Sequence, residues 1–207
     1  VREQIELARS LTKNPIGANI MLMNPNTPEL AQLLADMKVD VITTGAGSPS
    51  PYIQMWKEAG CKVVPVVASA ALAKRMERLG ADAVVAEGCE AGGHIGELTT
   101  MALTPSVCDA VSIPVITAGG VADGRGLVAA FALGGEGVQV GTRFLTAFEC
   151  GIHDAYKQKV IGAKDSDTIV TGRPSGHPVR QLKNRFARDV RKMEGDSDAS
   201  VDEIEQM

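Results

Sequence analysis

Residues 87–100 read E-G-C-E-A-G-G-H-I-G-E-L-T-T and hold the densest set of groups able to do chemistry. Three glycines, Gly92, Gly93 and Gly96, bracket His94. Glycine removes side chains, so a flat ligand can come close to the backbone. A histidine exchanges protons near neutral pH, which makes one presented on a loop a candidate acid or base. The plainer reading is a solvated loop with an incidental histidine, and the stretch alone does not choose between the two. Cys89 lies beside the histidine, where a small packing role is favoured over chemistry.

The elements that must present this loop follow a strand–helix rhythm. Val1–Lys13 has a helical spacing of apolar residues, and Asn14-Pro15 ends it. Ile16–Met23 reads as an apolar strand with one polar residue, Asn19. If buried, Asn19 needs hydrogen-bond partners, in a ligand or in a neighbouring loop, with the second favoured. A helix starts at Asn26-Thr27-Pro28-Glu29. A strand at Val39–Thr44 runs into Gly45-Ala46-Gly47, and Pro51–Ala59 is a short helix. Cys61–Val67 is assigned as a strand despite Pro65, because its flanks demand it. Ser69 opens the next helix. Ala81–Ala86 is then a buried strand leading into the glycine–histidine loop.

After the loop, Thr104–Val111 fits a helix with a proline near its first turn. Ile113–Ala118 is a strand ending in Gly119-Gly120, and Asp123 caps a helix with Leu127, Val128 and Phe131 as its face. Gly137–Val140 is a short strand, and Gly141-Thr142 opens another helix. Both glycine pairs precede a helix and offer backbone N–H groups to a phosphate.

Six strands of mostly uninterrupted apolar residues, alternating with helices, point to an α/β fold with a parallel sheet. Such folds place ligands at the C-terminal ends of their strands. Two arrangements fit: an open, doubly wound sheet, or a (β/α)8 TIM barrel of which strands 3–8 are visible. The chain starts without Met, inside a helix, and this favours a fragment of a barrel.

Beyond residue 163 the composition changes. Asp165–His177 reads as a loop. His177-Pro178 leads a helix with Val179, Leu182, Phe186, Val190 and Met193 on one face. Arg180, Lys183, Arg185, Arg188, Arg191 and Lys192 lie around the rest, as a solvated surface in preference to a dock for an acidic partner. An acidic tail follows from Gly195.

Composition limits the partners. The 207 residues carry a net charge of −4, which argues against nucleic acid. No apolar run reaches the ~20 residues of a membrane span. The N-terminal stretch V-R-E-Q-I-E-L-A-R-S lacks the apolar core of a signal peptide. Cys61, Cys89, Cys108 and Cys150 show no metal-type spacing and read as reduced thiols of a cytoplasmic protein.

Several motifs together resemble one family. They are G-A-N-I-M-L at 17–22, T-T-G-A-G at 43–47, A-L-A-K-R-M-E at 71–77, A-E-G-C-E-A-G-G-H-I-G-E-L-T-T-M at 86–101, I-P-V-I-T-A-G-G-V-A-D-G at 113–124 and V-Q-V-G-T-R-F at 138–144. The chain resembles flavin-dependent, type II enoyl-acyl carrier protein reductases, of the superfamily that includes nitronate monooxygenases. T-T-G-A-G favours the reductase branch. The resemblance implies an FMN-binding TIM barrel, with residues 1–163 as its incomplete barrel domain. Residues 164–207 would begin the region that covers the substrate.

By the same resemblance His94 is the catalytic histidine. Asn19 and Glu87 line the flavin ring, and Gly92 and Gly93 let ring and substrate lie close. Gly119, Gly120, Gly141 and Thr142 grip the phosphate, with Gln139 nearby. The implied activity is reduction of a trans-2-enoyl thioester, on acyl carrier protein or CoA, by NAD(P)H through FMN. No metal is implied. A homodimer is compatible. The competing expectations are oxidation of alkyl nitronates with FMN and O2, and a non-catalytic fragment. The family's first two strands, with a Gly-Gly-Met loop, and its C-terminal portion are absent from this sequence.

Overall fold

The computed structural model describes residues 1–195, so the expected acidic tail lies almost wholly outside the described residues. The first half runs α1 (Arg2–Leu11), β1 (Gly17–Met21), α2 (Thr27–Asp36), β2 (Val41–Gly45), α3 (Ile53–Glu58), β3 (Lys62–Val67), α4 (Ala70–Arg78) and β4 (Val84–Glu87). Next come β5 (Gly93–His94), α5 (Thr100–Cys108), β6 (Val115–Ala118), α6 (Gly124–Ala132), β7 (Gly137–Gln139) and α7 (Thr142–Leu145). The chain then forms α8 (Asp154–Ile161), β8 (Thr168–Thr171), β9 (Val179–Leu182) and α9 (Arg185–Met193).

The six expected strands form one sheet in the order β1-β2-β3-β4-β6-β7, with every neighbouring pair parallel. Order in space follows order in sequence. A doubly wound sheet reverses its order at a switch point, and no reversal occurs here. This progression is that of a barrel wall, and the curled sheet is half a barrel. Among the described residues, β1 and β7 are its unpaired edges.

Alternation along the strands gives the sheet two apolar faces. Ile20, Ile42, Val63, Val67, Val84 and Ala86 face the helices and join Leu34, Trp56, Met76, Leu103 and Val107 in the main core. Trp56 is fully buried and donates its indole N–H to the Ala31 carbonyl at 3.0 Å, joining α3 to α2. The opposite, concave face carries a smaller cluster of Val64, Val85 and Ala118, flanked by Val41, Val66, Ala83 and Ile116. Pro65 sits within β3, and pairing with β4 is confined to Val66 and Val67, just beyond it. The missing proline donor explains how short that ladder is.

Several sequence expectations need correction. The helix expected at 104–111 begins at Thr100, and Pro105 lies inside it. Its start is fixed by the Glu90 carboxylate of the preceding loop, which accepts from the Thr100 amide. The α6 face of Leu127, Val128 and Phe131 is turned outward, with Val128 67 % and Phe131 50 % exposed, and Ala130 is the residue that packs inward. Asn19 is exposed on the concave face, where it accepts a 3.0 Å hydrogen bond from the Thr43 hydroxyl of the neighbouring strand.

The tail differs most. The expected loop at 165–177 contains β8, and the expected helix from 177 is interrupted. Val179–Leu182 is a strand, and the helix starts only after Asn184, whose side chain accepts from the Ala187 amide at 2.7 Å. Strand β9 lies between β8 and β5, antiparallel to both, in a second sheet of order β5-β9-β8. Cross-strand pairing decides the form of Val179–Leu182, so helical spacing in the sequence misleads there.

Asp82, in the loop before β4, ties together the N-terminal ends of the central strands β3 and β4. Its carboxylate accepts from Lys57 Nζ at 2.7 Å, Lys62 Nζ at 3.0 Å and the Val63 amide at 2.9 Å. Burial pushes this carboxyl up, but the hydrogen bonds from Lys57, Val63 and Lys62 outweigh it and hold it below its ordinary value of 3.8. A carboxyl depressed by folding adds stability above its unfolded value, and that stability is lost as pH falls through its folded value. Asp82→Ala is therefore expected to cost about 1–3 kcal/mol at pH 7, leaving Lys57 half-buried and unpaired. The deficit should shrink below pH 4. Urea unfolding of both proteins at pH 7 and pH 3 measures it, and an equal deficit at both pH values would contradict the account.

Candidate functional site

The strand ends are drawn together by a contact that admits only glycine. A Cβ on Gly88, just after β4, would collide with the hydroxyl and amide of Thr100. At Gly119, just after β6, one would come 2.8 Å from both the Gly88 carbonyl and the Thr100 hydroxyl. Gly119 also has φ 96°, a conformation open to glycine. Gly88 donates its amide to the Ala118 carbonyl at 3.0 Å, and the Thr100 hydroxyl donates to the Gly119 carbonyl at 2.9 Å. The Glu90 carboxylate accepts from the Thr100 amide at 2.9 Å and supplies the N-terminal cap of α5.

Above this contact lies a cavity of about 840 Å3, within the size range of small-molecule and cofactor sites. Of the residues singled out in the sequence, Glu87, Gly92, Gly93, Gly119, Gly120, Gln139, Gly141 and Thr142 all line it. The register explains part of this. Glu87 follows Val85 on the concave face, and Gln139 pairs with Ala118, which lies on that face too. Burial pushes the Glu87 carboxyl above its ordinary value. Gly92 crosses to the far wall, where a Cβ would stand 3.4 Å from the Thr142 hydroxyl.

Two expected residues are placed elsewhere. Asn19 lies on β1, at the far edge of the sheet, and does not line the cavity. His94 is also outside the lining. It is exposed at the rim, one residue beyond Gly93, on β5. Its strand pairs with β9, Gly93 opposite Arg180 and His94 opposite Val179, and the Ile95 amide donates to the Pro178 carbonyl at 3.0 Å.

The phosphate-grip expectation is refined. The α6 terminus is already capped, because Asp123 accepts from the Arg125 and Gly126 amides. Hydrogen bonding to the Arg125 guanidinium holds that carboxyl down at about 2. Among the described residues, the amides of Gly120, Gly141 and Thr142 donate to no protein acceptor. Gly141 has an ordinary negative φ of −102°, and a Cβ there would meet nothing within 4 Å. Neither packing nor backbone conformation requires glycine at 141. A ligand lying against the backbone would require it.

Sequence reasoning missed the share of the site that comes from α8 and the tail. Tyr156, Val160, Ile161, Thr168, Arg180, Gln181 and Leu182 complete the cavity wall. Arg180 was grouped with surface charges, and only the strand pairing of β9 reveals its direction. Among the described residues no three His, Cys, Asp or Glu side chains converge as metal ligands, and no helix is long and apolar enough to cross a membrane.

The sequence profile of the nitronate monooxygenase family matches residues 28–206. The chain belongs to the nitronate monooxygenase family. It is 52 % identical to FabK from Thermotoga maritima, with a TM-score of 0.91 over 93 % of this chain and 62 % of that one. It is 42 % identical over 161 residues to a probable nitronate monooxygenase of Staphylococcus aureus, covering 72 % of this chain and 45 % of the relative. Over 198 residues it is 38 % identical to (3aS,4S,5R,7aS)-5-hydroxy-7a-methyl-1-oxo-octahydro-1H-indene-4-carboxyl-CoA dehydrogenase of Mycobacterium tuberculosis, covering 94 % of this chain and 55 % of the relative. The chain thus spans about half the length of the curated relatives it matches. Membership supports an FMN-type oxidoreductase on part of a TIM barrel.

The glycine contact gives a sharp structural test. Gly88→Ala must push α5 and Thr100 away from β6, and overpacking of this kind costs about 1–3 kcal/mol or more. Gly141→Ala meets nothing, so its stability should stay within about 0.5 kcal/mol of the parent. Thermal melts of the two variants side by side should separate them clearly; a similar loss in both would refute the distinction drawn between the two glycines.

Proposed function

We propose that the chain forms part of an FMN-dependent reductase that converts trans-2-enoyl thioesters, carried on acyl carrier protein or CoA, to saturated thioesters using NAD(P)H. The observation that carries this reading is the likeness to FabK, a type II enoyl-acyl carrier protein reductase. The Mycobacterium relative, named as a carboxyl-CoA dehydrogenase, supports a thioester-bearing substrate.

The residues present fit FMN. Gly120, Gly141 and Thr142 would face its phosphate with free amides, and Arg143 beside them adds positive charge. Gly92 and Gly93 leave the opposite wall flat, and Glu87 and Gln139 supply polar groups from the concave face. When bound, FMN supplies two-electron redox chemistry between the nicotinamide and the substrate. His94 stands at the rim beside Gly93, where a thioester reaching into the cavity would pass it. There it would donate a proton to the substrate's α-carbon or a hydrogen bond to its thioester oxygen. The apolar side chains of Leu145, Val160, Ile161 and Leu182 would shelter an acyl chain from water.

The Staphylococcus relatives favour a second reading, oxidation of alkyl nitronates with O2, in which His94 would act as the base that takes the α-proton of the parent nitroalkane to form the nitronate. Both are tested on the same purified protein. FMN titration, followed by flavin fluorescence, should saturate, and NAD(P)H should then be consumed on addition of an enoyl thioester. His94→Ala is expected to lower that turnover by ~10²–10⁴-fold without loss of FMN. Turnover of alkyl nitronate and O2 without NAD(P)H, and none of the thioester, would replace the first reading with the second. Near-normal turnover by His94→Ala would remove the histidine from the chemistry in either case.

A further inference from the structure

His94 lies on an exposed segment, and the contacts that hold it come from the tail. Strand β5 is two residues long, too short to fix its own conformation, and its ladder partner is β9. One residue of β9 grips the histidine loop at both ends. The backbone of Arg180 pairs with Gly93, at the end that leads into His94. Its side chain reaches back to the start of the loop, where Nε and Nη2 both donate to the Cys89 carbonyl, at 3.2 and 3.0 Å. Nη1 donates to the Thr168 hydroxyl of β8 at 3.1 Å, which fixes the plane of the guanidinium. Arg180 is half-buried, and among the described residues it forms no ion pair.

We propose that Arg180 is a positioning residue for His94, closing the Cys89–Gly93 loop through its guanidinium and its backbone and so setting where the imidazole stands at the cavity rim. This rests on the reading of His94 as the residue that meets the substrate. A planar, five-donor guanidinium can direct two N–H groups at one carbonyl and a third at a hydroxyl on the opposite side. The ammonium of lysine is a flexible point charge and cannot reproduce this geometry. The Arg173–Glu97 ion pair adds a second tie between the tail and the same loop, but both partners are largely exposed, so it contributes little. Arg180 therefore carries most of the side-chain contribution.

Two readouts test the proposal on the intact protein. The first is amide hydrogen exchange at Ile95, whose N–H is held by Pro178 and reports the β5–β9 pairing without need of flavin or substrate. Arg180→Lys and Arg180→Met should each speed exchange there by roughly 10- to 100-fold, the range for a lost hydrogen bond to a charged group. Thr168→Val, which frees the guanidinium on one side, should give a smaller change of the same sign. The second readout is turnover. In both Arg180 variants kcat should fall by on the order of tenfold or more, with KM for the thioester within about twofold of the parent. In a His94→Ala background, Arg180→Met should cost almost nothing further, because the two residues act in series.

Unchanged exchange at Ile95 in all three variants overturns the clamp. Faster exchange with unchanged turnover overturns its role in positioning His94, as does a full additional loss in the double variant. Weakened FMN or NAD(P)H binding with normal exchange would instead make Arg180 an anion-binding residue and also overturn the proposal. If the parent protein turns over neither thioester nor nitronate, the functional reading above fails, while exchange at Ile95 still decides whether Arg180 holds the loop.

Discussion

Everything at the C-terminal end of the sheet depends on how closely β4 and β6 can approach once their strands end. Gly88, Gly119 and the Thr100 side chain occupy a space in which no other side chain fits. The contact does three things at once. It continues the β4–β6 ladder by one bond beyond the strands, through the Gly88 amide. It brings the start of α5 against the sheet, with Glu90 supplying the cap that Thr99 does not. And it turns the chain after Gly88 upward and outward, so that residues 89–94 arch over the strand ends. A larger residue at either glycine would separate the strands that form the cavity floor. The glycines of this chain thus fall into two groups. Gly88 and Gly119 are needed by the protein itself. Gly141 is not, and its place on the cavity wall gives a reason that lies outside the protein.

The two faces of the sheet divide the labour. The helix-facing side is a continuous core built on Trp56, Leu103, Met76 and the strand valines, and it supplies most of the apolar burial. The concave side holds only a short apolar plug, Val64, Val85 and Ala118, with polar groups placed above it. Glu87 stands at the point where plug gives way to cavity. Burial there pushes its carboxyl above the ordinary value. The packed helices behind the sheet back a polar, glycine-rich rim in front of it.

Most of the sheet was legible in the sequence, and most of the tail was not, for one physical reason. Parallel strands such as Val84–Glu87 are buried on both faces and read as apolar runs, and their helices carry local start signals such as Ser69 and Asp123, both of which cap as expected. Those features are local. The form of Val179–Leu182 is set by β8 and β5, the latter about 90 positions away, and the start of α5 is set by Glu90. Neither can be found by scanning a window. Glu87, Gly119, Gly120, Gln139, Gly141 and Thr142, singled out by the family resemblance, line one cavity at the strand ends, where glycines following apolar runs mark the place in the sequence. Asn19 was placed in the same group, yet it lies at the opposite edge of an open half-barrel, bonded to Thr43. The resemblance that groups Asn19 with the site does not show how far the sheet fans out.

The position of His94 outside the cavity lining bears on how such a site works. A histidine inside the cavity would be held by its walls. One at the rim is held only by its backbone, and a two-residue strand has little stiffness of its own. The tail is therefore part of the site: β9 supplies the ladder, Pro178 accepts from Ile95, and Arg180 ties the loop back on itself. It also contributes Thr168, Gln181 and Leu182 to the wall opposite the glycines. An imidazole presented from outside, on a segment fixed at both ends, leaves the cavity floor free for a flat ligand and the mouth free for a long one. On the proposed reading, the same arrangement would serve proton donation to a thioester or proton removal from a neutral nitroalkane as the nitronate forms, because in both the reacting carbon would lie between the flat ligand and the rim. On that geometry the family's different reactions would diverge in what enters through the mouth, where the tail's side chains differ in character from the glycine-rich floor.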